Sequence, residues 1–389
     1  MGLLDSDMLK RTGLGLVAMV AAAAIGLGVA ACSSDDEQQQ QTVAQAEQPE
    51  EQPQQQAAAQ TEQAAEQPQQ QAAMQQQQTQ QQQTMQAEEE AAKDTIVFSD
   101  LNWLSAEVQT RIVAYIVEHG YGYPTELVAG DTVSLWAGLT TDNTHVTLEI
   151  WPAQQPWIDE LGEGVIELLG DSLDENWEGW VVPQYVKDAN PGLVSVFDIP
   201  DYADLFVTAD SEGKARFVGC IAGWACEMVN ANKVVAYELE DSVFVVDPGS
   251  GAALFADLEG AYARGDAWLG YIWGPTKPTA TLDLYRLEEP EWSEECWNGD
   301  QGCAYPSSEV RIAVNVSLID RAPDVIEFLR NWDYTAAEQI DVEIWMGDNG
   351  ETPDAGAIWY LQNFQDVWSQ RVDEGVVDRV LAALAEESY

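Results

Sequence analysis

The stretch DTIVFSDLNWLSAEVQTRIVAYIVEHG, residues 94–120, decides the fold class. Its first part, DTIVFSD, is an apolar run typical of a buried strand. The part that follows places Val108, Ile112 and Ile116 on one face of a helix. A strand, a turn and a helix in this order are the building unit of α/β folds. Trp103 lies in the turn, at the end of a strand, where such folds bind ligands.

Strand and helix signals keep alternating along the rest of the chain. Strands are predicted for HVTLEIW (145–151), GWVVPQYV (179–186), AWLGYIW (267–273) and EVRIAVNVSL (309–318). Residues 241–265 combine a strand, a Gly-rich turn and a helix, and the chain after residue 322 is mostly helical. The pattern predicts an α/β fold with largely parallel sheets. About 300 residues are too many for one core, so we expect two lobes.

The N-terminus carries a targeting signal. Lys10 and Arg11 precede the short apolar run LGLVAMVAAAAIGLGVA, which is typical of a signal peptide over residues 1–31. The run ends in VAAC, which resembles the bacterial lipobox and implies cleavage before Cys32 and lipid attachment to it. We therefore expect an extracytoplasmic protein that a lipid anchors to a membrane. A plain N-terminal anchor with an incidental cysteine is the alternative.

Residues 32–93 are rich in Gln, Ala, Glu and Pro and have almost nothing to bury. Such a segment cannot offset the entropy of ordering, so we expect a disordered tether.

The chain is strongly acidic, with a formal net charge of −51 at pH 7. This charge repels nucleic acid, and we expect no nucleic-acid partner. Dissolved salt near 1 M screens such repulsion within about 3 Å, so the composition favours a salt-loving source. An ordinary acidic secreted protein is the alternative.

Four of the five cysteines form two close pairs, Cys220 with Cys226 and Cys296 with Cys303. Outside the cytoplasm such pairs are plausible disulfides. A zinc site is the less favoured alternative because the usual CxxC spacing is missing. We therefore expect no metal.

The sequence lacks the motifs of common enzymes. GxSxG, HExxH, the P-loop and GxGxxG are all missing, and the two histidines, His119 and His145, offer little for a catalytic triad. Carboxylates and tryptophans are also the equipment of glycosidases. A surface carbohydrate-binding lipoprotein or a glycosidase that stacks sugars on tryptophans is therefore the alternative function.

The chain contains 15 tryptophans, and several stand at the ends of predicted strands. Trp103, Trp151 and Trp273 follow or end strands, and Trp180 opens one. Rings at the carboxyl ends of parallel strands can converge on one cleft. For any single ring, burial in the core is the plainer interpretation.

Five segments in order resemble the substrate-binding proteins of ABC importers for glycine betaine, choline and related quaternary amines. The segments are EIWPAQQPW (149–157), GWVVPQYV (179–186), YIWGPTKPTATLDLYRLEEP (271–290), APDVIEFLRNW (322–332) and AIWYLQNFQDVW (357–368). Their order and spacing carry the resemblance, which covers nearly all of the chain from residue 94 to residue 370.

The resemblance implies a two-lobed periplasmic-binding-protein fold of type II. Lobe 1 would take residues 94–178 and 284–389, and lobe 2 residues 179–283. The lobes would close about a hinge and trap the ligand between them. It also implies that the protein is a monomer without cofactor or catalytic activity, and that its partners are an ABC permease and the ATPase of that permease.

The resemblance also implies an aromatic box at Trp103, Trp151, Trp180 and Trp273. A quaternary ammonium has no N–H to donate, and ring faces attract its charge by about 0.5–2 kcal/mol each. Trp180 is the least secure member, because the ring before Val-Pro shifts in register among relatives.

Trp177 and Tyr185 are the replacements that the sequence offers for Trp180.

The tail of the ligand is less well defined. Thr276 stands where relatives often have a histidine for a carboxylate, and Ser105 stands where choline binders often have an acid. Other possible donors are the amides of Gly249, Ser250 and Gly251 at a probable helix N-terminus.

Overall fold

The computed structural model describes residues 93–162, 164–307 and 309–387. The predicted signal peptide, Cys32 and the predicted tether up to residue 92 lie outside the described residues, and the predictions about them stay predictions. Within the described ranges, no helix combines the length and the apolar character that a membrane span requires.

The first sheet has five strands in the order β2-β1-β3-β10-β4. Its strands are β1 (Ile96–Leu101), β2 (Thr125–Gly130), β3 (Val146–Ile150), β4 (Ile166–Leu173) and β10 (Val310–Asn315).

The second sheet also has five strands, in the order β7-β6-β8-β5-β9. Its strands are β5 (Trp177–Pro183), β6 (Ala215–Val218), β7 (Val243–Val246), β8 (Gly270–Gly274) and β9 (Leu284–Arg286).

Both sheets are mixed rather than largely parallel. Strands β2, β1 and β3 are parallel, and so are β7, β6 and β8. Strand β10 is antiparallel to both of its neighbours, and β5 is antiparallel to both of its own. These two strands are the ones by which the chain enters a sheet after leaving the other. The prediction of an α/β fold is confirmed, and the strands that cross between the sheets supply the antiparallel pairs.

Helices flank the sheets. Those of the first half of the chain are α1 (Leu104–Tyr115), α2 (Thr132–Thr140), α3 (Gln155–Trp157), α4 (Gln184–Ala189), α5 (Ile199–Tyr202), α6 (Ala225–Ala236) and α7 (Gly251–Arg264). The later ones are α8 (Lys277–Thr281), α9 (Glu294–Trp297), α10 (Ser317–Arg321), α11 (Pro323–Arg330), α12 (Ala336–Asn349), α13 (Pro353–Asn363), α14 (Gln365–Trp368) and α15 (Glu374–Leu384).

Shorter or wider turns complete the helical part. Single 3-10 turns cover Pro152–Gln154, Val196–Asp198, Ala203–Leu205 and Ser369–Arg371, and π turns cover Ile116–Tyr121 and Ile158–Gly162. The first of the π turns continues α1 to Gly122, whose φ of 76° suits glycine and ends the helix.

The tryptophans at strand ends follow from this topology. Strands β1 and β3 are parallel neighbours, and so are β6 and β8, so their carboxyl ends share one edge of each sheet. The second sheet takes its strands from residues 177–286, whereas lobe 2 was predicted over 179–283. The lobe boundaries themselves stay a prediction.

Both predicted cysteine pairs are disulfides in the structure. Cys220 is bonded to Cys226 in the loop before α6, and Cys296 is bonded to Cys303 after β9. Each bond braces a short loop of the chain, so its stabilising effect is local.

Candidate ligand-binding site

A cavity of about 30 Å³ lies at the carboxyl ends of β1, β3, β6 and β8, with walls from the elements of both sheets. Its walls are Trp103, Thr132, Trp151, Ala153 and Gln154 from the first sheet and its connections, and Glu178, Trp224, Ala225, Cys226, Tyr271 and Trp273 from the second. A volume of this size holds about one or two water molecules. A larger ligand therefore has to part the walls.

Four indole rings dominate the cavity. Trp103, Trp151, Trp224 and Trp273 are each less than a tenth exposed. The rings of Trp103 and Trp224 meet at 68° with centroids 5.1 Å apart, and those of Trp224 and Trp273 meet at 82° with centroids 5.3 Å apart. Successive rings thus stand nearly at right angles, as the walls of a box do.

A buried carboxylate holds two of these rings. Oε2 of Glu149 accepts hydrogen bonds from Nε1 of Trp103 at 2.7 Å and from Nε1 of Trp151 at 2.9 Å. The hydroxyl of Ser105 donates to the same oxygen at 3.2 Å. Glu149 is fully buried in β3, and its Oε1 has no hydrogen-bond partner among the described residues. The indole edges are thereby fixed, and the ring faces are left to the cavity.

Burial raises the pKa of Glu149, and the hydrogen bonds from Trp103, Trp151 and Ser105 oppose that rise. Glu149 and Trp151 are two residues apart, so strand alternation puts both side chains on the same side of the chain. This acid was missed by the sequence analysis, although it stands in the same EIW segment as Trp151.

Trp224 was also missed by the sequence analysis. It precedes α6 within the segment CIAGWAC, which the Cys220–Cys226 disulfide closes. Its Nε1 donates to Oδ1 of Asn102 at 2.7 Å, and Asn102 directly follows β1 of the first sheet. Trp224 therefore bridges the two halves of the cavity. A ring that is enclosed by two cysteines and precedes a helix is the signal that pointed to it.

Strand pairing explains the place of Trp273 and Glu178. The two residues are direct partners in the antiparallel β5–β8 ladder, so their side chains share one face of the sheet. Oε1 of Glu178 accepts a hydrogen bond from the hydroxyl of Tyr271 at 2.6 Å. Burial raises the pKa of Glu178 to about 7. Glu178 is the carboxyl group that lines the cavity.

The structure does not bring Trp180 to the cavity. Trp180 pairs with Tyr271 on the same face of the sheet, two residues further from the strand end than Glu178. Its ring is fully buried, lies 4.3 Å from Phe217 between centroids and donates from Nε1 to Asn230 at 2.7 Å. It is a core residue of the second sheet.

The two replacements considered for Trp180 also lie away from the cavity walls. Trp177 is half-buried, and the guanidinium of Arg286 lies 5.6 Å from its ring. The hydroxyl of Tyr185 donates to the carbonyl of Asp266 at 2.6 Å on the surface of the second half.

The predicted tail donors near α7 are placed behind the cage rather than in it. The amide of Gly249 donates to Asp247, and the hydroxyl of Ser250 caps α7 by accepting from Ala253. Gly251 packs against the cage, because a Cβ there would lie 3.3 Å from the ring of Trp224.

Thr276 is buried directly after β8. Its hydroxyl donates to the carbonyl of Trp273 at 3.1 Å. It therefore fixes the backbone of a cage residue, and it is not one of the described residues that line the cavity.

Polar groups in the cavity are few. The first two amides of α6, those of Ala225 and Cys226, have no carbonyl one turn earlier in the helix and lie at its positive end. No Lys, Arg or His occurs among the cavity-lining residues that the structure describes. The arrangement suits an apolar cation with a small polar tail.

Comparisons with known proteins identify relatives of the chain. A family model described as the substrate binding domain of ABC-type glycine betaine transport system matches residues 94–363. The glycine betaine/proline betaine-binding periplasmic protein of Escherichia coli K12 is 38% identical over 76 residues, which are 20% of this chain and 22% of the relative. The glycine betaine-binding periplasmic protein OusX of Dickeya dadantii gives the same figures. The chain thus matches about a fifth of the length of these curated relatives.

Solved structures share the fold. A glycine betaine, L-proline ABC transporter binding protein of Borrelia burgdorferi superimposes with a TM-score of 0.61 at 17% identity, over 74% of this chain and 99% of that one. An ABC-transporter choline binding protein in complex with choline gives 0.61 at 21% identity, over 75% and 98%. Lactococcal OpuAC with glycine betaine gives 0.59 at 18%, over 72% and 100%. The expected type II periplasmic-binding-protein fold is confirmed.

Removing the shared acceptor should destabilise the protein. In Glu149→Ala, two indole N–H groups and a hydroxyl lose their acceptor in a dry interior, so we expect the free energy of unfolding to fall by about 2–4 kcal/mol. The near-UV circular dichroism of the tryptophans should weaken as the rings lose their fixed orientation. Urea unfolding and near-UV spectra measure both effects.

Ser105→Ala is the matched control, because it removes one donor to Glu149 and leaves both indole hydrogen bonds in place. It should cost about 1 kcal/mol and keep the near-UV spectrum. Equal effects of the two substitutions would contradict the role given to Glu149.

Proposed function

Since the chain belongs to the family of substrate-binding domains of ABC-type glycine betaine transport systems, we propose that it captures a quaternary ammonium solute, namely glycine betaine, proline betaine or choline, in an aromatic cage. The family consists of binding proteins and not of enzymes. The observation that carries the proposal is the meeting of four indole rings around one cavity.

The cage suits the chemistry of a trimethylammonium group. Its charge is spread over methyl groups that make no hydrogen bonds, so ring faces attract it without leaving a donor unsatisfied. Each ring contributes about 0.5–2 kcal/mol, and more where water is excluded. The cage rings are Trp103, Trp151, Trp224 and Trp273, with Trp224 in the role that the sequence gave to Trp180.

Closure of the two halves is part of the proposed mechanism. Trp103 and Trp151 belong to the first sheet and its connections, and Trp224 and Trp273 to the second, so the cage is complete only when the halves meet. The Trp224–Asn102 hydrogen bond joins them. A ligand that contacts both halves would stabilise the closed form, which the permease would then recognise.

The proposed setting is extracytoplasmic. Cleavage before Cys32 and lipid attachment would tie the protein to a membrane, and residues 32–93 would leave the binding domain free to reach the permease and its ATPase. We propose that it works as a monomer, since one chain supplies every wall of the cavity.

Removal of a cage ring should abolish ligand-induced stabilisation. For the wild-type protein, glycine betaine or choline at 100 times its Kd should stabilise by about 2.7 kcal/mol. Trp273→Ala and Trp224→Ala should each weaken binding at least about tenfold and remove most of the rise in Tm. Thermal shift and titration calorimetry measure both effects.

Trp180→Phe is the control for these variants, because Trp180 is an equally large ring outside the cavity. It should lower Tm and leave Kd unchanged. Binding of sugars with no response to any quaternary amine would instead favour the carbohydrate-binding alternative.

The bond between the halves gives a separate prediction. Asn102→Ala removes the acceptor of Trp224 Nε1, and a lost hydrogen bond of this kind costs about 0.5–1.5 kcal/mol. We expect a Kd about three- to tenfold weaker and a larger radius of gyration of the ligand-free protein in X-ray scattering.

Asn143→Ala, which alters an exposed asparagine before β3, should change neither quantity. A ligand-free scattering curve that Asn102→Ala leaves unaltered would show that this bond does not hold the halves together.

A further inference from the structure

We propose that Glu178 reads the tail of the bound quaternary amine and makes the site prefer a tail that donates a hydrogen bond, such as the hydroxyl of choline, over a carboxylate tail such as that of glycine betaine. This inference rests on the proposed function, because it concerns the same cavity.

The first support is geometric. Glu178 lines the cavity beside its ladder partner Trp273 and is 6% exposed. One carboxyl oxygen accepts from Tyr271, and the other, Oε2, is buried without a hydrogen-bond partner in the described part of the chain. A buried acceptor without a donor is unfavourable. A hydroxyl on the ligand would supply the missing donor.

The second support is the charge balance around Glu178. The nearest cation of the second half is Lys233, whose ammonium contacts the carboxylate of Glu289 and the carbonyl of Cys303. That ammonium is engaged by Glu289, and it attracts Glu178 only through space. The ionised form of Glu178 therefore keeps most of its negative potential for the cavity.

The opposing feature is the N-terminus of α6. The amides of Ala225 and Cys226 favour an anion there, and a helix end acts as about half a positive charge. The ionised Glu178 carries a full negative charge within the same small cavity. Since the larger charge has the opposite sign, the carboxylate of a betaine is disfavoured whenever Glu178 is ionised.

The preference should depend on pH because burial raises the pKa of Glu178 to about 7. The groups that face it are the hydroxyls of Tyr271 and Tyr305, Lys233 and Glu289. A cation with a hydroxyl favours the ionised form, so choline should bind more tightly as pH rises through 7. A carboxylate favours the protonated form, so glycine betaine should bind more weakly over the same range.

The experiment is calorimetric titration of the full chain with choline and glycine betaine at pH 6 and pH 8, for the wild-type protein and Glu178→Gln. At pH 8 the wild-type protein should prefer choline. Glu178→Gln should weaken choline about tenfold or more and tighten glycine betaine several-fold, because a neutral amide replaces the charge. Tighter betaine binding is a result that structural damage does not produce.

Glu343→Gln is the matched control. Glu343 is equally buried, its pKa is also raised to about 7 by burial, and it lies outside the cavity walls. It should leave the ratio of the two Kd values unchanged.

The outcomes are distinct. A wild-type preference for glycine betaine at pH 8, or a ratio that Glu178→Gln does not change, overturns the role of Glu178. If Glu178→Gln does not fold, the wild-type pH series decides, and a ratio that stays constant from pH 6 to pH 8 overturns the inference. Absence of binding by every quaternary amine overturns the proposed function instead.

Discussion

The candidate site depends on one buried acceptor, the carboxylate of Glu149. A tryptophan wall is useful only if its face is open and its N–H is satisfied, since an unpaired indole N–H in a dry interior is costly. Oε2 of Glu149 satisfies two such groups from neighbouring strands, those of Trp103 and Trp151. The two rings are thereby oriented from behind, and no polar group has to stand between them. The cavity can stay apolar because its hydrogen bonds are made outside it.

The division of the walls between two sheets gives the fold its function. Each sheet alone presents two rings at its edge, and a half-cage exposes large apolar faces to water. Contact between the halves removes these faces from water, as the right-angled packing of Trp103 and Trp224 shows. The cavity that remains is too small for a trimethylammonium group, so binding has to replace some ring–ring contact by ring–ligand contact. Affinity is then a difference between two sets of apolar contacts plus the gain from charge.

The sequence predicted those parts of the site that follow long apolar strands. Trp103 and Trp151 come directly after β1 and β3, so their positions were clear. Trp180 was misplaced because the NWEGW segment offers rings on both sides, and alternation brings Glu178 rather than Trp177 to the cavity. Trp224 was missed because its strand, β6, has only four residues and too weak a pattern. The same weakness hid the edge strands β2, β4 and β9, which are short or partly exposed.

The acidic character of the chain acts differently outside and inside. Charges on the surface attract cations, but salt screens them beyond a few ångströms, so this attraction fades where the composition would suit a salty medium. Glu149 and Glu178 lie in or behind a cavity that excludes salt, and buried charges are screened far less. No basic side chain balances them among the described residues of the cavity wall. The missing positive charge is the one that the ligand brings, and selection for a cation therefore persists at ionic strengths that cancel the field of the surface.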